Sequence, residues 1–174
     1  QIITNTATVE WDAGAQRLSR TSNTVQFAVE PPPAPTTSLT LLRFSNSQGA
    51  STANLPTTMC TGSNGATPVR FEGVYAGLST TPASLVPATA IRAGEPLVIQ
   101  MDAAAKNLNA TAIDSFDVVV VTPAGDRERI TLTESAANSG RFHGFIDTRA
   151  IPPVPVQGDC VLSVNPGDTV NVEF

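Results

Sequence analysis

The chain has 174 residues, of which 15 are acidic and 10 basic, so its net charge is −5 with the single histidine neutral. One lysine and nine scattered arginines form no basic stripe, so we expect neither nucleic acid nor an anionic membrane surface as a partner. No apolar run approaches the roughly 18 residues that span a bilayer, and no membrane insertion is expected. The hydrophobic fraction of 41% predicts a folded chain with a packed core.

The first 30 residues predict a β-hairpin. Two strands, at 2–11 and 20–29, flank a turn that contains Gly14. Because an isolated hairpin is marginal in water, its apolar positions must pack against something. The positions expected to make this subunit or repeat contact are Ile3, Val9, Val25, Phe27 and Val29.

Three partners for the hairpin are open. It packs on its own domain, finishes the preceding domain of a longer chain, or adds to a neighbouring subunit. The chain begins at Gln1 without an initiator methionine, so we expect it to be cut from a longer one.

A domain boundary is predicted after the hairpin. The sequence E-P-P-P-A-P at 30–35 has four prolines in five positions, which favour an extended polyproline path. We therefore divide the chain into an N-terminal hairpin at 1–30, a proline-rich linker at 31–37 and a main domain at 38–174.

Strand patterns continue through the main domain. Apolar and polar residues alternate in T-V-N-V-E-F at 169–174, and the continuous β-branched run before Pro123 is typical of a central strand. Only the segment 102–109 has helical propensity, enough for one short turn. Together these signals predict an all-β, antiparallel β-sandwich of about ten strands. Those of the main domain are expected at 38–44, 68–75, 96–102, 115–122, 127–134, 141–147, 160–164 and 169–174.

The two cysteines, Cys60 and Cys160, belong to no short metal-binding motif. We expect them to form a disulfide, with two unpaired thiols as the alternative. Such a bond stabilises the fold by about 4 to 5 kcal/mol through the restricted unfolded chain. It also indicates an oxidising compartment.

Candidate chemistry is sparse, and we predict that the chain is not an enzyme. Four oxygen-bearing residues of one loop, Asp102, Asn107, Asn109 and Asp114, form a weak candidate Ca²⁺ site, with turn stabilisation as the favoured alternative. No other cofactor is expected.

The remaining reactive side chains favour structural interpretations. The acids Asp126, Glu128 and Glu134 alternate with arginines and predict a solvated charged face. The lone His143 has no arrangement that fixes a catalytic triad, and the lone lysine is expected to be solvated rather than cross-linked. Trp11 and Tyr75 do not form a stacking platform for sugars.

Two strings resemble known bacterial modules. The sequence I-T-N-T-A-T-V at 3–9, followed by S-N-T-V at 22–25, resembles the closing hairpin of Ig-like repeats found in tandem in large exported bacterial surface proteins. The sequence L-T-E-S-A-A-N-S-G-R-F-H-G at 132–144 is similar to the L-x-E-T-x-x-x-T-G-x-F-x-G signature of other Ig-like envelope modules, with serines where threonines are usual. Both resemblances imply an Ig-like sandwich in a structural or adhesive stalk.

The sequence as a whole predicts a structural module of a bacterial extracellular or cell-surface protein. Its expected partners are adjacent repeats or other copies, which it joins by strand addition into a tandem stalk or fibre. The alternative is an adhesin module that recognises a glycan or protein through long loops at 45–67 and 76–93.

Overall fold

The computed structural model describes residues 2–29, 36–70 and 82–174. The chain divides into two compact units, Gln1–Ala34 and Pro35–Phe174. Residues 71–75 of one predicted strand, with Tyr75, lie outside the described residues. Among the described residues, no helix is long and apolar enough to cross a membrane.

The first unit is a long hairpin of four short strands: β1 (Ile2–Asn5), β2 (Thr8–Ala13), β3 (Gln16–Thr21) and β4 (Val25–Ala28). Strand β1 pairs with β4 and β2 pairs with β3, both antiparallel. The sequence predicted two strands here. Each predicted strand is divided into two shorter ones. Two residues separate β1 from β2, and three residues separate β3 from β4.

This extra residue forms a bulge that side chains stabilise. The Ser22 N–H donates to the carbonyl of Ala7 at 2.8 Å, and the Ser22 hydroxyl accepts from the Ala7 N–H at 3.0 Å. The two arms therefore remain bonded across the interruption. At the tip, Gly14 has a φ of 67°, which a residue without Cβ adopts readily.

The described residues of the second unit form eleven strands. Their bounds are β5 (Thr37–Phe44), β6 (Ser51–Ala53), β7 (Met59–Gly62), β8 (Gly65–Pro68), β9 (Ala83–Pro87), β10 (Leu97–Ala103), β11 (Ser115–Val121), β12 (Arg127–Glu134), β13 (Arg141–Ala150), β14 (Val161–Val164) and β15 (Asn171–Glu173). The predicted helical turn is present as a short 3-10 helix at Ala104–Lys106.

The strands form two halves of one hydrogen-bonded path. One half runs β6-β9-β5-β10-β13, and the other runs β15-β11-β12, with β7 paired to β12 and β8 paired to β7. The halves join where the end of β12 pairs with the start of β13 over two residues. Every pairing is antiparallel except that of β13 with β14. The predicted all-β class with antiparallel sheets is confirmed, and its arrangement is consistent with a β-sandwich.

The two halves share one hydrophobic core. Gly144 of β13 faces β12, because a Cβ built there would lie 2.5 Å from Cδ2 of Leu132. The rings of Phe116 and Phe142 meet edge to face with centroids 4.9 Å apart. Fully buried core residues come from both halves: Leu97, Ile99, Met101, Phe142 and Ile146 from one, and Cys60, Val120, Ile130 and Leu132 from the other.

Candidate functional site

The hairpin of the first unit has one apolar and one polar face. Residues alternate along a strand, and the cross-strand pairs Ile3 with Phe27 and Trp11 with Leu18 place apolar side chains opposite each other. The bulge lies between β3 and β4, so the odd-numbered residues of β1 and β2 stay on one face of the hairpin throughout. We call this the apolar face; it comprises Ile3, Ala7, Val9, Trp11, Leu18, Val25 and Phe27, with Asn5, Ala13, Gln16 and Arg20.

Apart from the pair Ile2 with Ala28 at its end, the opposite face is covered by polar pairs. The hydroxyls of Thr6 and Thr24 are 2.9 Å apart, and Arg17 donates to Glu10 at 2.8 Å. Both side chains of the ion pair are more than half exposed, so the pair adds little stability. This face is suited to water.

The apolar face is exposed along its whole length. Exposed fractions run from 39% at Ile3 to 61% at Val9, with 44% at Trp11 and 55% at Phe27. With about 150–250 Å² for a fully exposed large side chain, these fractions correspond to roughly 500 Å² of apolar surface. That value is near the upper end of the largest patch on an ordinary monomer, and patches of this size are often interaction sites.

Four of the five predicted contact residues lie on this face. They are Ile3, Val9, Val25 and Phe27; Val29 follows β4 and is 44% exposed. Trp11 and Leu18 also lie on the apolar face but were not among the predicted contact residues. Extending the alternation from Val9 by two residues would have found Trp11, and its cross-strand partner follows from the position of the turn.

The second unit contains a cavity between the two halves of the sandwich. This cavity of about 620 Å³ is lined by Leu41 and Leu97 from one half, by Val164 and Val170, and by the loop that contains Ile91. The lining is predominantly apolar, and it includes one base, Arg92, and one acid, Asp168.

The prediction that Asp126, Glu128 and Glu134 form a solvated face is wrong. All three carboxylates are buried on the core side of β12 and its preceding turn. Each accepts backbone N–H groups: Asp126 from Ser163 of β14 at 2.7 Å, and Glu134 from Gly140 of the loop after β12 at 2.7 Å. Burial is possible because these backbone groups supply donors that replace water.

Glu128 accepts three backbone N–H groups of one loop. Its Oε1 accepts the N–H of Gly158 at 2.8 Å and of Asp159 at 3.3 Å, and its Oε2 accepts the N–H of Cys160 at 2.9 Å. These bonds favour the charged form, but burial disfavours it more and raises the pKa of Glu128 to about 7.

Cys60 and Cys160 form a disulfide with a Cα–Cα distance of 5.8 Å, in agreement with the predicted pairing. The bond connects β7 to the loop that Glu128 holds, and Cys60 is fully buried. Two sulfurs and a carboxylate oxygen of Glu128 lie within 4.8 Å of one another. The sulfurs are bonded to each other, so this cluster links parts of the fold rather than presenting thiolates to a metal.

The residues of the predicted Ca²⁺ site are engaged by the protein itself. Asp114 accepts the N–H groups of Leu108 and Asn109 at 2.6 and 2.8 Å, as expected for a carboxylate that stabilises its own loop. Asp102 accepts from Arg141 at 2.7 Å. The Asn107 amide donates to Asn138 at 2.9 Å, and Asn109 accepts from the Thr111 N–H at 3.0 Å. These contacts support turn stabilisation, and the Ca²⁺ site stays a prediction.

His143 and Lys106 both contact neutral side chains. His143 is 2% exposed, and its Nε2 lies 3.3 Å from Oε1 of Gln100. Burial is the main cause that lowers the pKa of His143. Lys106 places Nζ 5.2 Å from the centre of the Phe116 ring, a cation–π contact.

The long loops predicted as ligand-binding surfaces are partly strands. The segment 45–67 contains β6, β7 and most of β8, and 83–87 of the segment 76–93 is β9. Residues 76–81 lie outside the described residues. The prediction of long loops is therefore wrong at 51–53, 59–62, 65–67 and 83–87, where the segments form strands.

Comparison with family models, with curated proteins and with solved structures finds no match to this chain. The function of the chain is therefore inferred from its own residues.

Proposed function

We propose that this chain is a structural module of a bacterial extracellular or cell-surface protein, which links to neighbouring copies or repeats through strand addition by its N-terminal hairpin. The product is a fibre or a tandem stalk. The exposed apolar face of the hairpin carries this proposal.

The hairpin provides what strand addition needs. Its outer strands β1 and β4 bond only to each other among the described strands, so each keeps an unpaired row of backbone donors and acceptors. An added strand gains affinity from those backbone groups and selectivity from alternate side chains. Val25 and Phe27 are such alternate side chains, with the polar Gln26 between them.

The second unit provides a stable body for a linker of this kind. Its core residues all lie between Leu42 and Val164, and its halves are connected by the disulfide. The disulfide is compatible with an oxidising extracellular compartment and supports that part of the proposal. A module with an independent core and a separate adhesive hairpin is suited to repeated assembly.

Substitution on the two hairpin faces tests the proposal. The double variant Val25→Asp with Phe27→Asp places charges on the apolar face, and Thr4→Asp with Gln26→Asp places the same number on the polar face. We expect size-exclusion light scattering and electron microscopy to show oligomers or filaments of the unaltered chain. These should be lost in the first variant and kept in the second.

Two results would contradict the proposal. One is a monomeric unaltered chain at about 100 µM, which is ten-fold above a Kd of about 10 µM. The other is equal assembly by both double variants, which would mean that the apolar face makes no contact between copies.

The alternative function, a module that binds glycan or protein through long loops, has less support. Strands β6, β7 and β8 interrupt the segment 45–67, and Trp11 lies on the hairpin rather than in that segment. Monomeric behaviour with binding to a glycan array would favour this alternative.

A further inference from the structure

In the residues that the structure describes, the second unit has an unpaired seam on the side away from the β12–β13 junction. In one half, the segment Thr37 to Thr40 of β5 pairs with β10, while β9 pairs with β5 only from Leu42 onward. In the other half, β15 pairs with β11 alone. Among the described residues, no strand pairs with the other side of these two segments.

Interior-facing side chains along this seam are incompletely covered. Leu39 and Leu41 of β5 pair with Met101 and Ile99, whose side chains are fully buried in the core. They therefore point to the same face. Leu39 is nevertheless 40% exposed. Val172 of β15 is paired with the buried Val120 and is only half-buried.

The cavity of about 620 Å³ lies beyond the end of this seam, because its lining includes Leu41, which follows the free segment of β5, and Val170, which precedes β15. One strand with alternate apolar residues, added beside Thr37–Thr40, would cover Leu39.

We propose that the seam between β5 and β15 is the acceptor site for a second copy, and that strand β4 of that copy adds to the free edge of β5 at Thr37–Thr40. This inference depends on the proposed function and names its acceptor. β4 and the free segment of β5 each have four residues, and Val25 and Phe27 would point into the seam while Gln26 stays in water.

The area and charge of the hairpin fit a contact between copies. Its apolar face offers roughly 500 Å² of the about 800 Å² that each partner contributes to a standard interface, before the added strand's backbone is counted. Glu10 and Asp12 balance Arg17 and Arg20, so residues 1–29 have no net charge. The hairpin is therefore not repelled by the acidic second unit.

The occupant is a second copy, because the short connection between β4 and β5 does not favour pairing of β4 with β5 of the same chain. Eight residues separate β4 from β5. A parallel crossover needs a dozen or more residues. An antiparallel return needs a reversal within E-P-P-P-A-P, whose four prolines favour an extended path. A donor strand that cannot readily return to its own β5 is free to reach the next molecule. Head-to-tail addition of this kind produces a filament when the rotation between successive copies does not close a ring.

Two half-blocked variants test the acceptor. Leu39→Lys blocks the seam but leaves the hairpin intact, and Phe27→Asp blocks the hairpin but leaves the seam intact. Leu108→Lys, at a residue that is 84% exposed on the same unit, is the matched control for the first. Light scattering of each variant alone and of their equimolar mixture gives the mass of the assemblies.

We expect each blocked variant alone to be monomeric, the Leu108→Lys control to form filaments, and the mixture to form a one-to-one dimer. Near-ultraviolet circular dichroism should show that Leu39→Lys keeps its fold. If Leu39→Lys still forms filaments, the acceptor is elsewhere and this inference is overturned, while the proposed function stands. If the unaltered chain is monomeric, both fail.

Discussion

The contribution of Glu128 to the stability of this protein should fall as the pH rises from about 4.5 to about 7, because Glu128 is more easily protonated in the folded state. Burial raises the pKa of Glu128 from 4.5 to about 7, despite the backbone N–H groups of Gly158 and Cys160 that favour the charged form. A group whose pKa is raised on folding binds its proton more tightly in the native state. Its stabilising contribution is therefore complete below pH 4.5 and is lost as the pH passes through 7.

The pKa shift of Glu128 determines how much unfolding free energy is lost. A change of about 2.5 pH units at about 1.4 kcal/mol per unit corresponds to a loss of roughly 3 kcal/mol of unfolding free energy between pH 4.5 and 8. Such a loss is a large share of the 5 to 15 kcal/mol that keeps an ordinary domain folded.

His143 contributes a pH dependence of the opposite sign. Its pKa is lowered from 6.5, mainly by burial, so the folded state resists protonation. Its contribution is present above pH 6.5 and is lost as the pH falls through its lower folded pKa. The unaltered protein therefore shows the sum of the two effects, and Glu128 must be isolated by a difference.

Urea unfolding of the disulfide-bonded protein and of Glu128→Gln, at steps from pH 4.5 to 8, provides that difference. The unfolding free energy of the unaltered chain minus that of the variant should decrease by roughly 3 kcal/mol as the pH rises. A difference that stays constant within 1 kcal/mol would refute the reasoning. NMR titration of the Glu128 carboxyl carbon gives the folded pKa directly, and a value near 4.5 would refute it as well.

Three further perturbations address the core and the loops. Replacing both Cys60 and Cys160 by serine should cost about 4 to 5 kcal/mol of unfolding free energy in urea, because the closed loop spans 100 residues; a cost below 1 kcal/mol would exclude this contribution. Gly144→Ala should cost about 1 to 3 kcal/mol, since its Cβ would lie 2.5 Å from a methyl group of the facing strand, and unchanged thermal unfolding would show that the core has room. Asp126→Asn should cost about 1 to 3 kcal/mol, because an amide group can turn a donor toward the Ser163 N–H, and faster amide exchange at Ser163 should accompany it; exchange as slow as in the unaltered chain would contradict this.

The alternation of residues was enough to place most strands. Strand β12 was predicted at its observed bounds, and β11 and β10 within one residue at each end, because period-two patterns are local and depend only on the geometry of an extended chain. The apolar positions of the hairpin were found for the same reason. Its bulge was not, since one extra residue with Ser22 beside it has no distinctive local pattern.

Side-chain surroundings were decided by the tertiary structure. Glu128 and Glu134 share the parity of Ile130 and Leu132, so the alternation itself placed them on the core face, yet their charge favoured water. Only the loops that fold back with N–H donors make burial tolerable, and those donors come from residues such as Gly158 and Gly140, far away or across a turn. The local pattern did not determine the order of the strands either. Which strand pairs with which depends on packing between segments that are distant in the sequence. The sequence by itself therefore determined where the chain is extended and which hairpin face is apolar, while the open seam beside β5 exists only because of how the two halves close around the core.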